Sequence, residues 1–193
     1  MFEEAFPLPK HLGGHKGRTH IDVGLLKWAK DKLNVKSMLD LGCGPGGQVY
    51  EAQQLGLSVI GVDGDFTLVR KRPELFVVHD FTKGKLENFQ KYYLTAEFDL
   101  IWCVEFVEHI DETYVDNWMS LTQRGRYVFM TYSDIGKPGH HHVNCKPLEY
   151  WINLYKKYGF TYDEQLTNES KEVSTMKREF WKDTGLVFER KQQ

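Results

Sequence analysis

LDLGCGPGG, residues 39–47, runs from an apolar stretch directly into a turn dense in glycine. Glycines at such a turn permit tight backbone geometry and the close approach of a ligand. The helix predicted over residues 46–54 then offers its unpaired N–H groups to a negative group. Working outward, short apolar runs at 37–41, 58–62, 75–79, 98–103 and 127–131 predict strands, and amphipathic runs at 46–54, 66–70 and 107–121 predict helices between them. Residues 21–33 form a further helix ahead of the first strand, with Leu25, Leu26, Trp28, Ala29 and Leu33 at helical spacing. Strands buried on both faces and alternating with helices specify an α/β fold with a mostly parallel sheet.

Beyond the fifth strand, residues 133–144 (SDIGKPGHHHVN) have loop chemistry, and 147–158 read as a helix with Pro147 in its first turn. Two extended candidates, 160–163 and 186–189, close the chain on either side of a polar stretch. Residues 1–18, with Gly13, Gly14 and Gly17 among His and Lys, are expected to be irregular and to act as a lid when something binds beneath them. The 193 residues are read as a single domain, since a chain of this length can bury one sizeable core.

Composition narrows the function classes. Twenty-five Lys and Arg against 27 Asp and Glu give a net charge of −2, which argues against a long nucleic acid as partner. No apolar run approaches the ~18 residues of a membrane span. The start, MFEEAFPLPK, lacks the basic and apolar segments of a secretory signal. Cys43, Cys103 and Cys145 are odd in number and without CxxC spacing, so neither a disulfide framework nor a cysteine zinc site is expected, and a reducing cytoplasm suits them.

Gly42, Gly44 and Gly47 satisfy G-x-G-x-x-G, which keeps a dinucleotide-binding oxidoreductase using NAD in view. The acids argue for another cofactor. Asp40 stands two residues before the first glycine, an awkward place for a pyrophosphate and a favourable one for a sulfonium and an ammonium, as S-adenosylmethionine carries. Asp63 ends the second strand, where a carboxylate can accept both ribose hydroxyl protons. Asp80 follows the third, placed for an adenine amino group with Phe81 beside it. A strand-end turn for Asp63 and a helix cap for Asp80 are the structural alternatives.

LDLGCGPGG, VIGVDGD, VVHDF and FDLIWCVEFVEHI together resemble the four motifs of the class I S-adenosylmethionine-dependent methyltransferases, most closely over residues 37–110. More narrowly, GRTHID, VHDFTKG and GKPGHHHVN are similar to a subgroup of small bacterial and phage methyltransferases. The resemblance implies a Rossmann-like sheet of seven strands with the last antiparallel, and cofactor contacts at Gly42, Gly44, Asp63 and Asp80. With the residues beside them, the expected cofactor set is Asp40, Gly42, Cys43, Gly44, Asp63, Gly64, Asp80 and Phe81.

A second constellation follows the fourth strand. In VEFVEHI, helical spacing would bring Glu105, Glu108 and His109 onto one face, at the sheet edge where open α/β sheets bind ligands. His140, His141 and His142 follow the fifth strand and reach the same edge. One use is proton handling, with His109 and His141 taking the acceptor's hydroxyl proton and Glu105 orienting His109. Another is a divalent metal held by Glu105, Glu108, His109 and His142, lowering the pKa of the acceptor hydroxyl. That arrangement resembles the small-RNA 2′-O-methyltransferases and, in part, the ubiquinone-pathway O-methyltransferases. A third is purely structural, with Glu105 and His109 stabilising a helix end.

His11, His15, Lys16, Arg18 and His20 precede the first helix, and Lys16 or Arg18 could meet the methionine carboxylate or an anionic substrate group. Trp102, Tyr132, Tyr150, Trp151 and Tyr155 are expected mainly as core, with stacking against a ring as the alternative. The expectation is an enzyme that methylates an oxygen of a small polar molecule or glycan. Methylation of an RNA end, an NAD-dependent oxidoreductase and a non-catalytic cofactor-binding module are the rivals. A rim of Lys71, Arg72, Lys83 and Lys85 would favour the RNA end.

Overall fold

The computed structural model of the protein describes residues 7–87 and 97–191. The apolar runs form strands: β1 (Ser37–Leu41), β2 (Ser58–Asp63), β3 (Phe76–Val78), β4 (Phe98–Cys103), β5 (Gly125–Met130), β6 (Phe160–Tyr162) and β7 (Leu186–Arg190). They build one seven-stranded sheet in the order β3-β2-β1-β4-β5-β7-β6. The first five strands are parallel, and β7 runs antiparallel to both β5 and β6. This is the Rossmann-like methyltransferase arrangement that the motifs imply. Its order reverses at β1/β4, which opens a crevice at the carboxyl ends of those strands.

Helices α1 (Val23–Leu33) and α2 (Gly47–Gln54) cover one face of the sheet, and α3 (Val115–Thr122) and α4 (Leu148–Lys157) the other. Strand side chains alternate accordingly. Leu39, Leu41, Ile101, Cys103, Val128 and Met130 pack with Trp118, Trp151 and Tyr155, whereas Met38, Leu100, Trp102, Tyr127 and Phe129 pack with Leu25, Leu26, Val49 and Trp181. Trp151 and Tyr155 are fully buried, so they are core and not a stacking platform. Truncating one such aromatic costs about 3–5 kcal/mol.

Three local expectations need correction. Residues 66–70 are not a helix, because the Asp65 carboxylate accepts from the Thr67 N–H and hydroxyl and holds the chain in a turn. Residues 107–121 are not one helix either. Two single 3-10 turns, Val107–His109 and Glu112–Tyr114, precede α3, with the chain extended at Ile110 between them. The polar stretch between β6 and β7, for which no element was expected, contains two helices, α5 (Glu164–Val173) and α6 (Phe180–Thr184), the first capped by the Asp163 carboxylate on the Leu166 N–H at 2.8 Å. Pro147 is the N-cap of α4, one position before the first turn in which it was expected.

Residues 7–18 carry no helix or strand, and residues 1–6 of the expected irregular segment lie outside those described. No helix among the described residues is long and apolar enough to cross a membrane.

Candidate active site

The turn after β1 is shaped by backbone that only glycine accepts readily. Gly42 (φ 73°) and Gly46 (φ 88°) both lie in the left-handed region. A Cβ on Gly42 would stand 2.4 Å from Phe106 Cδ2, and one on Gly46 2.3 Å from Phe76 Cζ. Neighbours then pin the turn. Gly42 N and Cys43 N donate to the Val62 carbonyl, Gly44 N donates to Asp63 Oδ2 at 2.8 Å, and Arg70 Nη2 donates to the Gly44 carbonyl at 3.0 Å. Asp63 therefore fixes the loop with Oδ2 while Oδ1 accepts from Asp65 N at 2.8 Å.

Asp40 is 3% exposed, and burial, reinforced by Asp63, pushes its carboxyl well above the usual range. Burial likewise raises the Cys43 thiol, so Cys43 packs as a neutral group. Asp80 behaves oppositely. Burial opposes its ionisation, but the Thr82 N–H and hydroxyl on Oδ1 and His11 Nε2 on Oδ2 outweigh it and hold the carboxyl below the usual range. Phe81 is buried against the rings of His79 and Phe106. Gly64 lies against Leu12 of the N-terminal segment, which folds over the loop through the His11–Asp80 and His15–Asp65 pairs, both 3.0 Å. Every member of the expected cofactor set, with His11, Leu12 and His15 of the N-terminal segment, lines a cavity of about 500 Å³.

The opposite wall arises from the ends of β4 and β5. Glu105 adopts φ 55°, a left-handed conformation that ends the strand path and precludes a helix at that point. It is held there by Thr131, whose hydroxyl accepts from Glu105 N at 2.7 Å and donates to Glu105 Oε1 at 3.1 Å. Glu108 is 1% exposed, and its carbonyl accepts from Val143 N and Asn144 N, drawing the histidine loop against the strand end. His109 Nδ1 lies 2.7 Å from the His140 carbonyl oxygen, and the His109 and His142 rings meet edge to face at 5.1 Å.

Glu108, His109 and His142 thereby bring one ligand atom each within 4.8 Å of one another. Long-range bonds create this convergence, not the i, i+3, i+4 spacing from which it was expected. Glu105 stands outside that group, with its carboxyl close enough to that of Glu108 for each to act on the other's ionisation. Burial raises both carboxyls, that of Glu108 further because of its neighbour. Glu108 Oε2 is buried without a hydrogen-bond partner, a need that a cation would meet. His140 and His142 line the cavity. His141, expected as a proton carrier, is not among the lining residues and has its ring 6.0 Å from that of His11.

Several residues of the site gave no signal in the sequence. Asp65, which does not itself line the cavity, is buried and ties His15 to the turn. Arg178 and Phe180 reach the cavity from the segment before and at the start of α6, opposite Arg18 and His20. Of the lysines and arginines expected at a rim for an RNA end, Lys71, Arg72, Lys83 and Lys85, none lines the cavity.

A family model described as a methyltransferase domain matches residues 39–129, the span from the glycine loop through β5. Over that span the chain matches the methyltransferase domain family, in agreement with the resemblance of its four motifs. Solved methyltransferases share its fold at low identity. A TehB-like S-adenosylmethionine-dependent methyltransferase from Corynebacterium glutamicum is 16% identical, with 91% of each chain covered and a TM-score of 0.60. Magnesium protoporphyrin IX methyltransferase from Synechocystis, solved with the cofactor bound, is 16% identical over 86% of this chain and 76% of that one, at a TM-score of 0.58. The methyltransferase domain of bacterial CtHen1 is 16% identical over 86% of this chain and 96% of that one, at a TM-score of 0.55. No curated protein matches the sequence.

The first wall of the cavity has the donor chemistry to hold S-adenosylmethionine. Buried Asp40 lies where a cationic centre would restore its charge. The Gly42–Gly44 backbone lies open to the cavity, and Asp63, at the end of β2, and Asp80, two residues beyond β3, both line it.

Proposed function

We propose that this methyltransferase methylates a hydroxyl oxygen of a small polar molecule or glycan, beside a divalent-cation site formed by Glu108, His109 and His142. The observation that carries the proposal is the meeting of those three ligand atoms, one from buried Glu108, whose Oε2 is unpartnered, and two from His109 and His142, which line the same cavity as the cofactor set. One buried carboxylate and two imidazoles form a donor set suited to a borderline divalent ion. Such an ion lowers the pKa of a bound hydroxyl.

When bound, S-adenosylmethionine supplies an electrophilic methyl group. The protein's contribution is alignment and exclusion of water. Asp40, Asp63 and Asp80, with Gly42, Cys43, Gly44, Gly64 and Phe81, hold the cofactor. The N-terminal segment closes over them through His11 and His15. A volume of about 500 Å³ lies within the roughly 300–1,000 Å³ of small-molecule sites, which favours a compact acceptor. His109 keeps the lone pair on Nε2 when Nδ1–H donates to the His140 carbonyl, and so serves as a ligand, or as the acceptor's base if no cation is bound.

The test is elemental analysis of untagged protein, followed by transfer of labelled methyl to a panel of hydroxylated small molecules, oligosaccharides and an RNA oligonucleotide, with and without chelator. A bound divalent ion and chelator-sensitive transfer to a small molecule or oligosaccharide are expected. Transfer confined to the RNA oligonucleotide overturns the acceptor class. No metal and no chelator effect overturn the cation site and leave His109 as the base.

A further inference from the structure

Arg178 belongs to a stretch, residues 174–179, that carries no motif and no regular structure before α6. Its position is nevertheless fixed from outside. The buried Asp22 carboxylate, which caps α1 through Leu25 N at 3.0 Å, also accepts from Thr175 N at 2.9 Å and from the Ser174 hydroxyl. Gly24 N returns a bond to the Thr175 hydroxyl at 2.8 Å. The segment bearing Arg178 is thus fastened to the start of α1, immediately after Arg18, Thr19 and His20.

Phe180 organises what faces the cavity. Its ring meets the His20 ring edge to face at 4.9 Å, and the Arg178 guanidinium lies over it at 6.0 Å. Arg178, Arg18 and His20 lie close enough that both guanidiniums, after burial itself, depress the His20 pKa, and Arg178 also acts on Glu105 across the cavity. Among the described residues, no carboxylate forms an ion pair with Lys16, Arg18 or Arg178. Yet the remainder of the cavity is acidic, with Asp40, Asp63, Asp80 and Glu105 on its walls. One corner therefore gathers positive charge without a counter-charge, and an ordered ring supports it. Thr19 caps Gly47 N at 3.0 Å on the glycine-loop side, so Arg178 marks the side of this corner nearer Glu105.

We propose that the acceptor carries an anionic group, phosphate or carboxylate, close to the hydroxyl to be methylated, and that Arg178, with Arg18 beside it, binds that group. This rests on the proposed hydroxyl acceptor, and it narrows the acceptor to a hydroxylated anion. A guanidinium presents a planar fork that matches either anion with two parallel hydrogen bonds. Arg178 is a specificity-determining residue here, binding the acceptor at a point remote from the transferred methyl.

The test uses the full-length protein saturated with S-adenosylhomocysteine, titrated separately with glycerol phosphate and with lactate and followed by NMR, alongside calorimetric titration of S-adenosylhomocysteine itself. Saturable binding of one probe is expected, which also separates phosphate from carboxylate. Arg178→Gln should weaken that probe at least about tenfold while leaving S-adenosylhomocysteine affinity within about twofold, and Arg178→Lys should recover part of the loss. Because Arg178 is exposed, neither change is expected to affect folding, which a thermal melt verifies.

Failure of both probes to bind wild type, or to weaken with Arg178→Gln, overturns the proposal. So does a tenfold loss of S-adenosylhomocysteine binding, which would give Arg178 to the cofactor's own carboxylate. Transfer of methyl to nitrogen in the activity panel would overturn the hydroxyl acceptor while leaving this binding result intact.

Discussion

His109 Nδ1 stands 2.7 Å from the backbone carbonyl oxygen of His140, so the histidine loop itself selects the tautomer of the strand-end imidazole. With Nδ1–H donating, Nε2 retains its lone pair. Burial, with His142, His140 and His141 nearby, pushes the ring down to about 4, so His109 is neutral at pH 7. His109→Ala is expected to lower methyl transfer by about 10²-fold or more while S-adenosylhomocysteine binding stays within about twofold. Steady-state kinetics beside calorimetry separate the two, and unchanged turnover would remove His109 from the chemistry.

Asp40 should couple cofactor binding to a proton. Its carboxyl is raised by burial and by Asp63, so in the empty cavity its charged form costs stability. That cost is absent below the ordinary carboxylate pKa, grows as pH rises from there towards the raised one, and is complete above it. A bound cation reverses the balance, so affinity for S-adenosylmethionine should increase with pH and binding should release a proton. Calorimetry in two buffers of different ionisation enthalpy measures this release. Asp40→Asn should raise the melting temperature of the cofactor-free protein and weaken the cofactor at least about tenfold, about 1.4 kcal/mol.

Gly46 tests the loop without touching a charge. An alanine there must keep φ near 88° and place its Cβ 2.3 Å from Phe76 Cζ. Strain of this kind costs about 1–3 kcal/mol. Gly46→Ala should therefore lower the melting temperature and cofactor affinity together, whereas Gly56→Ala, with φ 82° and open space around it, should lower stability alone.

The His20–Arg178 neighbourhood has a spectroscopic signature. His20 is held below its ordinary pKa by burial first, then by Arg178 and Arg18. The stability of its neutral form is complete above the unfolded pKa of 6.5 and is lost as pH falls from there through the lowered value. Arg178→Gln should move the His20 titration upward in NMR and reduce the acid sensitivity in that window. An unmoved His20 titration would mean that the two side chains do not share a corner in solution.

Residues whose roles depend on chain neighbours were legible early. The strands at 37–41 and 98–103 appear with the expected bounds, because an apolar run between polar ends leaves a parallel strand little freedom. The glycine loop and the acids at the ends of β1 and β2 and after β3 were equally local, since close ligand approach and strand-end placement are properties of a few consecutive residues. Asp40, Gly42, Cys43, Gly44, Asp63, Gly64, Asp80 and Phe81 all line one cavity.

What depends on distant partners was not legible. Asp65 overrides the helix expected at 66–70 with side-chain bonds that periodicity does not register. His141, adjacent to two cavity residues, is turned toward His11 by the fold of its own loop.

By itself the sequence determined the central strands and the chemistry of the cofactor wall, because those follow from hydrophobic period and short-range backbone preference, while the seven-stranded sheet was implied by the resemblance of its motifs. Only the tertiary structure decided the acceptor side. Thr131 holds Glu105 in a left-handed turn, the Glu108 carbonyl draws in the histidine loop, and Asp22 fastens Thr175 so that Arg178 reaches the cavity. Each of these is a hydrogen bond between residues far apart in the chain, and the pattern of neighbouring residues carries no record of such a bond.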